Sequence, residues 1–323
     1  MKPTPEVPKP ESKKFLYLLL TFFAFFIFSF IFVVYSVQHL FGKVSGTPLL
    51  SSSDEIDLIE IQGPIYQSDD VVRRIKRFKK GSKKALILRL NSPGGAVAPS
   101  QEIYTEILKV REAKKVVVAS VGSLAASGAY YIAAACDRIV VNPGSVTGSI
   151  GVIAEIPEAS GLLKKVGLDF QTVKSGKFKD TGSFNRPLSL QERAYLQETI
   201  DDVFNQFLDA VLEGRRSVFK ERLASRLTKK PEQITDSEIK AYILPYADGR
   251  VLTGKKAFEL GFVDKLGNYY DAVQLTADLA GIKGEPTVRL DQPAKFEQFM
   301  NGLLPFSFFA KNAGGFRLEY IAF

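Results

Sequence analysis

The sequence predicts an α/β protein with a largely parallel sheet, preceded by one N-terminal membrane-spanning helix. Three observations carry that prediction: an uncharged apolar run at Phe15–Gln38, β-rich runs alternating with helical patterns from Ile56 onward, and glycine-rich turns where those runs end. At 323 residues, 46% hydrophobic and 24% charged, the chain suits one large domain or two small ones and is too apolar for disorder. Its single cysteine, Cys136, excludes an intrachain disulfide, so the fold must rest on a packed core.

The first element is FLYLLLTFFAFFIFSFIFVVYSVQ. As a helix from Phe15 to Val37 it would rise about 34 Å, enough to cross a hydrocarbon core of about 30 Å. A cleavable signal peptide would have a shorter apolar region and a small-x-small cleavage site, and neither is seen. Lys2, Lys9, Lys13 and Lys14 precede the run and only Lys43 follows closely, so the N-terminus is expected in the cytoplasm and the rest outside. In a bacterium this describes a single-pass inner-membrane protein with its globular part on the extracytoplasmic side. Ser45–Ser53, rich in small turn-forming residues, reads as a linker.

Strands are then expected at Ile56–Ile61, Ala85–Leu90, Lys115–Ser120, Arg138–Val141 and Phe170–Val173. Helices are expected at Asp69–Lys80, Pro99–Ala113, Ala126–Ala135 and Glu158–Val166, with a longer one from Ser189 to Arg215. The last opens on a capping box, Ser189 with Glu192, and keeps Leu196, Ile200, Val203, Phe207 and Val211 on one face. Phe299–Ala310 is apolar but too short and too broken to span a membrane, and reads as a packing or subunit-contact segment.

His39 is the sole histidine and borders the apolar run, so a histidine-based triad or a multi-histidine metal site has nothing to use. The formal charge of +8 draws on Val71–Lys84, which has no nucleic-acid motif and no interleaved aromatics beyond Phe78. A solvated helix face is the plainer reading, contact with anionic head groups the next, and no nucleic-acid partner is expected. Gly249–Lys256 imitates a phosphate loop but ends in Lys where Ser or Thr would hold magnesium.

Three turns could carry chemistry. Asn91-Ser-Pro-Gly94-Gly95 follows a strand, and a glycine pair lets backbone N–H groups approach a ligand. Ser127, in Ala126-Ser-Gly128, opens an alanine-rich helix, where serine also serves as an ordinary N-cap. The loop Lys174–Ser183 contains Lys179. Loop lysines are usually solvated, yet without a usable histidine a neutral, buried lysine is the remaining base for a serine.

Together these turns resemble signal peptide peptidase A (protease IV), serine peptidase family S49, in its short single-repeat form. The matching pieces run from about Ile56 to Asn268: LRLNSPGGAV (88–97), SLAASGAYYIAAACDRIVVNPGSVTGSIGVI (123–153), SGKFKDTGSFNRPLS (175–189) and DGRVLTGKKAFELGFVDKLG (248–267). The resemblance implies a core like that of ClpP and the crotonases and a serine endopeptidase with a Ser-Lys dyad. By position, Ser127 matches the nucleophile, Lys179 the general base and Ser149 a serine that orients the lysine. Gly94 and Gly128 match the oxyanion hole. Ala129 departs from relatives that carry a second glycine there.

The resemblance further implies no cofactor and no metal, signal peptides and other apolar peptides as substrates, and a ring- or dome-like homo-oligomer at the membrane. In short forms the dyad is shared between subunits. A lysine base must be brought from about 10.4 down by about 2–3, or about 3–4 kcal/mol, which demands burial and no adjacent carboxylate. Asp180 is therefore expected to point away from Lys179. Expected boundaries are 1–14 cytoplasmic tail, 15–38 transmembrane helix, 39–53 linker, 54–285 peptidase domain and 286–323 extension. A crotonase-like acyl-CoA enzyme and an inactive scaffold of a membrane quality-control complex are the alternatives.

Overall fold

In the computed structural model the described residues are 54–291 and 319–321, together with 17, 21–23, 25–29 and 32. Residues Met1–Ser51 and Ser52–Phe323 form two separate units. The described residues of the first are helical, with exposed side chains including Phe22, Phe25 and Phe28. Most of the expected span at 15–38 lies outside the described residues, as do the linker at 39–53 and the apolar stretch at 299–310. Among the described residues no helix is long and apolar enough to cross a membrane.

The second unit is built on an eight-stranded sheet. Its centre is β1 (Glu55–Gln62), β2 (Ala85–Ser92) and β4 (Val116–Ala126), all parallel. These strands bury both faces, which explains their near-continuous runs of Ile, Leu and Val. Parallel partners need crossovers, and α1 (Asp69–Lys80) and α2 (Val97–Glu112) supply them. β5 (Arg138–Val141) and β6 (Val146–Gly148) both pair with β4 at different heights. β7 (Val251–Thr253) closes one margin antiparallel to β6, β8 (Lys265–Leu266) pairs with β5, and β9 (Thr287–Leu290) lies beside β1 at the other margin.

Two layers of helix cover the sheet. α6 (Tyr269–Ala280) sets Val273 and Ala277 against Ile56, Leu58 and Ile87. On the other side α1, α2, α3 (Gly128–Ala134) and α5 (Leu190–Leu227) share the larger core with Ile59, Leu88, Val117 and Ile139. α5 begins on the expected capping box: Ser189 Oγ accepts from the Glu192 N–H at 3.2 Å, and Glu192 accepts from the Ser189 N–H at 2.8 Å. It runs twelve residues beyond Arg215, to Leu227, with Phe219 and Leu223 continuing the buried face. The basic run of α1 is not solvated throughout: Arg74 is buried, pairing with Asp70 and with Asp291 just after β9.

The expected strand at Phe170–Val173 does not form; these residues are irregular and exposed, with Val173 100% exposed. β-branched and aromatic composition makes a strand only where a neighbour accepts its hydrogen bonds and its side chains. Here the chain from 155 to 188 forms an arm that carries one short helix, α4 (Ser160–Lys165).

Candidate active site

The end of β4 is where the turns meet. β2 and β4 keep strict register to Leu90↔Val121, then shift, so that Ser92 faces Ala125. Beyond the irregularity the end of β4 pairs with β6, Ala126 facing Gly148. Ser127 follows at once. Its backbone, φ 54° and ψ −120°, is one that a side-chain-bearing residue adopts at a cost of about 1–3 kcal/mol. The Ser127 N–H is fixed to Gly148 O at 2.8 Å, and Ser127 O accepts from Tyr131 N–H at 2.8 Å. The side chain occupies the N-cap position of α3 yet makes no capping hydrogen bond, and the residue is only 1% exposed.

α3 is held hard from behind. Tyr130 Oη donates to Phe262 O at 2.9 Å, and Tyr131 packs between Tyr104 and Phe207 at centroid distances of 4.9 and 5.0 Å. Gly214 of α5 crosses so close that a Cβ there would stand 1.9 Å from Ala134 O. Ala129 is fully buried. Gly128 is the first residue of α3, so its N–H has no intrahelical partner.

Gly94 begins β3 (Gly94–Ala96) with φ 98°, a conformation suited to glycine. Its N–H donates to the buried Ser92 Oγ at 3.1 Å, so an oxyanion at Gly94 would displace a hydroxyl. Ser92 is marked in the sequence only by its place between strand and turn in Asn91-Ser92-Pro93. Ser149, 6% exposed, has φ 51° and donates its N–H to Arg250 O at 2.9 Å. The Asp248–Arg250 turn thus props Ser149, and Gly249 N–H closes the other side on Ile150 O at 3.0 Å. A cavity of about 570 Å³ opens beside Ser149, lined by Ile150, Ile153, Ile200 and Phe204. A larger one, about 1050 Å³, lies between α1 and α2 and contains none of these turns.

Lys179 is not brought to Ser127 by a hydrogen bond; it is exposed on the arm. The burial expected of that amine is therefore not met within one chain. Its neighbour Asp180 does turn away, as expected: Asp180 accepts from Arg186 Nε at 3.0 Å and from Lys174. Arg186 reaches on to Glu192 at 2.9 and 2.5 Å, joining the arm to the capping box of α5. Arg186 first, then Lys174, hold the Asp180 carboxyl down to about 2, and Arg186 likewise holds Glu192 well below the usual carboxylate range.

Two family models match the chain, Peptidase family S49 over residues 109–226 and Clp protease over residues 57–143. A candidate protease of Synechocystis sp. is 41% identical over 234 residues, covering 72% of this chain and 76% of that protein. A candidate signal peptide peptidase SppA of Enterococcus faecium is 30% identical, over 72% of this chain and 61% of its own length. Protease 4 of Salmonella typhi is 34% identical over 64% of this chain, and the match spans only 31% of that protein. Among solved structures, a variant of a membrane-bound stomatin-specific protease is 17% identical, with a TM-score of 0.42 over 75% of this chain and 99% of that one.

A parallel sheet covered on both faces, with a buried serine at a strained strand-to-helix turn, describes an α/β peptidase core of the Clp-protease kind. The chain belongs to peptidase family S49, and is a serine protease similar to protease 4 and signal peptide peptidase A.

Proposed function

We propose that this chain is a membrane-anchored endopeptidase with Ser127 as nucleophile, Lys179 as general base, Ser149 as the group orienting the lysine, and Gly94 and Gly128 N–H as oxyanion donors. The observation that carries the reading is a contrast. Ser127 is buried at a strained turn with its hydroxyl unspent on capping, while Lys179 stands exposed on an arm pinned at the adjoining Asp180. A lysine takes a proton from serine only when water is removed from it. The arm supports one way to do that: Leu162, Leu168, Phe170 and Phe184 are exposed along it, an apolar flank that a second copy of the chain would cover. The base would then come from a neighbouring subunit, in a ring- or dome-like homo-oligomer.

In that assembly neutral Lys179 takes the Ser127 hydroxyl proton as Oγ attacks a peptide carbonyl carbon. The oxyanion accepts from the two glycine N–H groups, and the lysine passes its proton to the departing amine as the C–N bond breaks. Water, giving its proton to the same lysine, attacks the acyl-enzyme ester; the acid product leaves and Ser127 Oγ takes the proton back. The substrates proposed are signal peptides and other apolar membrane-associated peptides, met on the extracytoplasmic side of a bacterial inner membrane by a domain tethered through Phe15–Gln38.

Mixing two inactive full-length variants tests the reading. Ser127→Ala combined with Lys179→Ala should regain peptide hydrolysis if the dyad is shared, because some interfaces then hold both intact groups. No recovery, with each variant still assembled, would overturn the shared dyad. Undiminished hydrolysis by either variant alone would overturn the dyad itself.

A further inference from the structure

The cavity of about 570 Å³ beside Ser149 is bounded by three parts of the fold. The stretch after β6 supplies Ile150 and Ile153, α5 supplies Ile200 and Phe204, and the turn at Asp248 and Gly249 closes it. Two carboxylates stand in its lining. Asp248 is already held by Arg250 at 2.6 and 2.7 Å, whereas Asp201, exposed on α5, accepts only from Gln197 Nε2 at 2.7 Å among the described residues.

The arm presents the matching chemistry. Phe178, 43% exposed, directly precedes Lys179, and Thr181 N–H donates to Phe178 O at 3.2 Å in a turn that carries both. Lys177 Nζ stands 5.4 Å from the centre of the Phe178 ring. Among the described residues neither Lys177 nor Lys179 pairs with a carboxylate; the cations on Asp180 are Lys174 and Arg186. The arm thus offers an aromatic ring between two unpaired cations, and the cavity offers an apolar wall with one cation-free carboxylate at its rim.

We propose that this cavity is the seat of Phe178 from a neighbouring copy of the chain, and that the seated ring is what keeps water from Lys179. The proposal rests on the shared-dyad reading above and names the surface on which the arm docks. Ser149 lines the cavity, so a lysine that Ser149 orients arrives at its mouth, and the residue before that lysine arrives with it. Phe178 then fills the apolar part, Lys177 meets Asp201, and Lys179 faces the Ser149 hydroxyl. No carboxylate follows the lysine in, because Asp180 stays bound to Arg186 and Lys174. An amine enclosed by apolar groups and a hydroxyl favours its neutral form. Phe178 touches no substrate in this scheme; it is a positioning residue that acts through Lys179.

Full-length chains carrying Phe178→Cys and, with a tag that changes their size, Ile200→Cys are co-expressed and oxidised. The native Cys136 is buried and takes no part. A disulfide-linked heterodimer is expected. Phe178→Ala should lower kcat/KM roughly tenfold at neutral pH, chiefly through kcat, and its pH profile should move upward by about 1, so that the deficit closes as pH rises. Phe178→Leu should recover most of the rate. Absence of the heterodimer from assembled chains, or a rate loss with an unmoved profile, would overturn the proposal. So would a missing cross-link together with an Ile200→Trp variant that cuts different peptides, which would give the cavity to a substrate side chain. Failure of the dyad reading looks different: hydrolysis persists in Ser127→Ala or Lys179→Ala, whatever the cross-link shows.

Discussion

Ser127 and Ser149 occupy matched positions on neighbouring strands. Each follows the last residue of a paired register, Ala126 on β4 and Gly148 on β6, and each has a positive φ, 54° and 51°. Two adjacent strands thus end in the same unusual way and bring two buried hydroxyl-bearing residues to one end of the sheet.

Ser149→Ala should lower kcat/KM by roughly 10- to 100-fold while leaving thermal stability within about 0.5 kcal/mol, because a small hydroxyl is removed without a cavity. If Ser149 orients the lysine, the pH profile of kcat/KM should also move to higher pH. A rate loss with an unmoved profile would assign Ser149 to structure.

Ser127→Gly separates chemistry from strain. Glycine adopts φ 54° freely, so the variant should be more stable than wild type by roughly 1 kcal/mol, read as a raised Tm, while hydrolysis falls by at least about a thousandfold. A destabilised Ser127→Gly would mean that the turn holds no strain.

The arm should respond to acid in a defined direction. Asp180 and Glu192 lie below their ordinary values of 3.8 and 4.5, so the unfolded arm binds protons more readily than the folded one. Their support is complete above those ordinary values and is lost as pH falls through about 2 for Asp180. Hydrogen exchange of 174–192, corrected for the intrinsic rate, should rise between pH 5 and pH 2.5. At neutral pH Arg186→Gln should reproduce that rise, since Arg186 bridges both carboxylates. Unchanged exchange in the variant would show that the arm is held by something else.

Gly214→Ala should cost roughly 2–4 kcal/mol in denaturant unfolding, for one methyl group, because its Cβ would meet Ala134 O and push α5 off α3. The same substitution at Gly144, where nothing lies within 4 Å of a Cβ, should leave stability nearly unchanged.

Much of the fold was legible in the sequence because it is local. The run Ala85–Leu90 could only be a strand buried on both faces, and Ser189 with Glu192 announced the start of α5 to the residue. Gly94, Ser127 and Gly128 stand in turns that small residues mark in the sequence, but the roles expected of them come from the resemblance alone. What was not legible depends on partners far along the chain. Phe170–Val173 has strand composition but no strand beside it, and Ser149 is propped by a turn about a hundred residues later, at Arg250. The exposure of Lys179 is the ordinary state of a loop lysine; its burial is demanded only by the role of general base. The pairing of Glu319–Ile321 with β3 joins segments more than two hundred residues apart, and three residues carry no periodicity.

One outer margin of the main sheet is Thr287–Leu290, four residues bracketed in sequence by Pro286 and Pro293. Proline has no N–H to offer an incoming chain, and so short a border gives a stranger little to grip. A peptidase spends its life among unfolded segments eager to find a ladder. This one turns them away at the rim of its scaffold, so an extended chain gains no foothold there that would cost the enzyme its own shape.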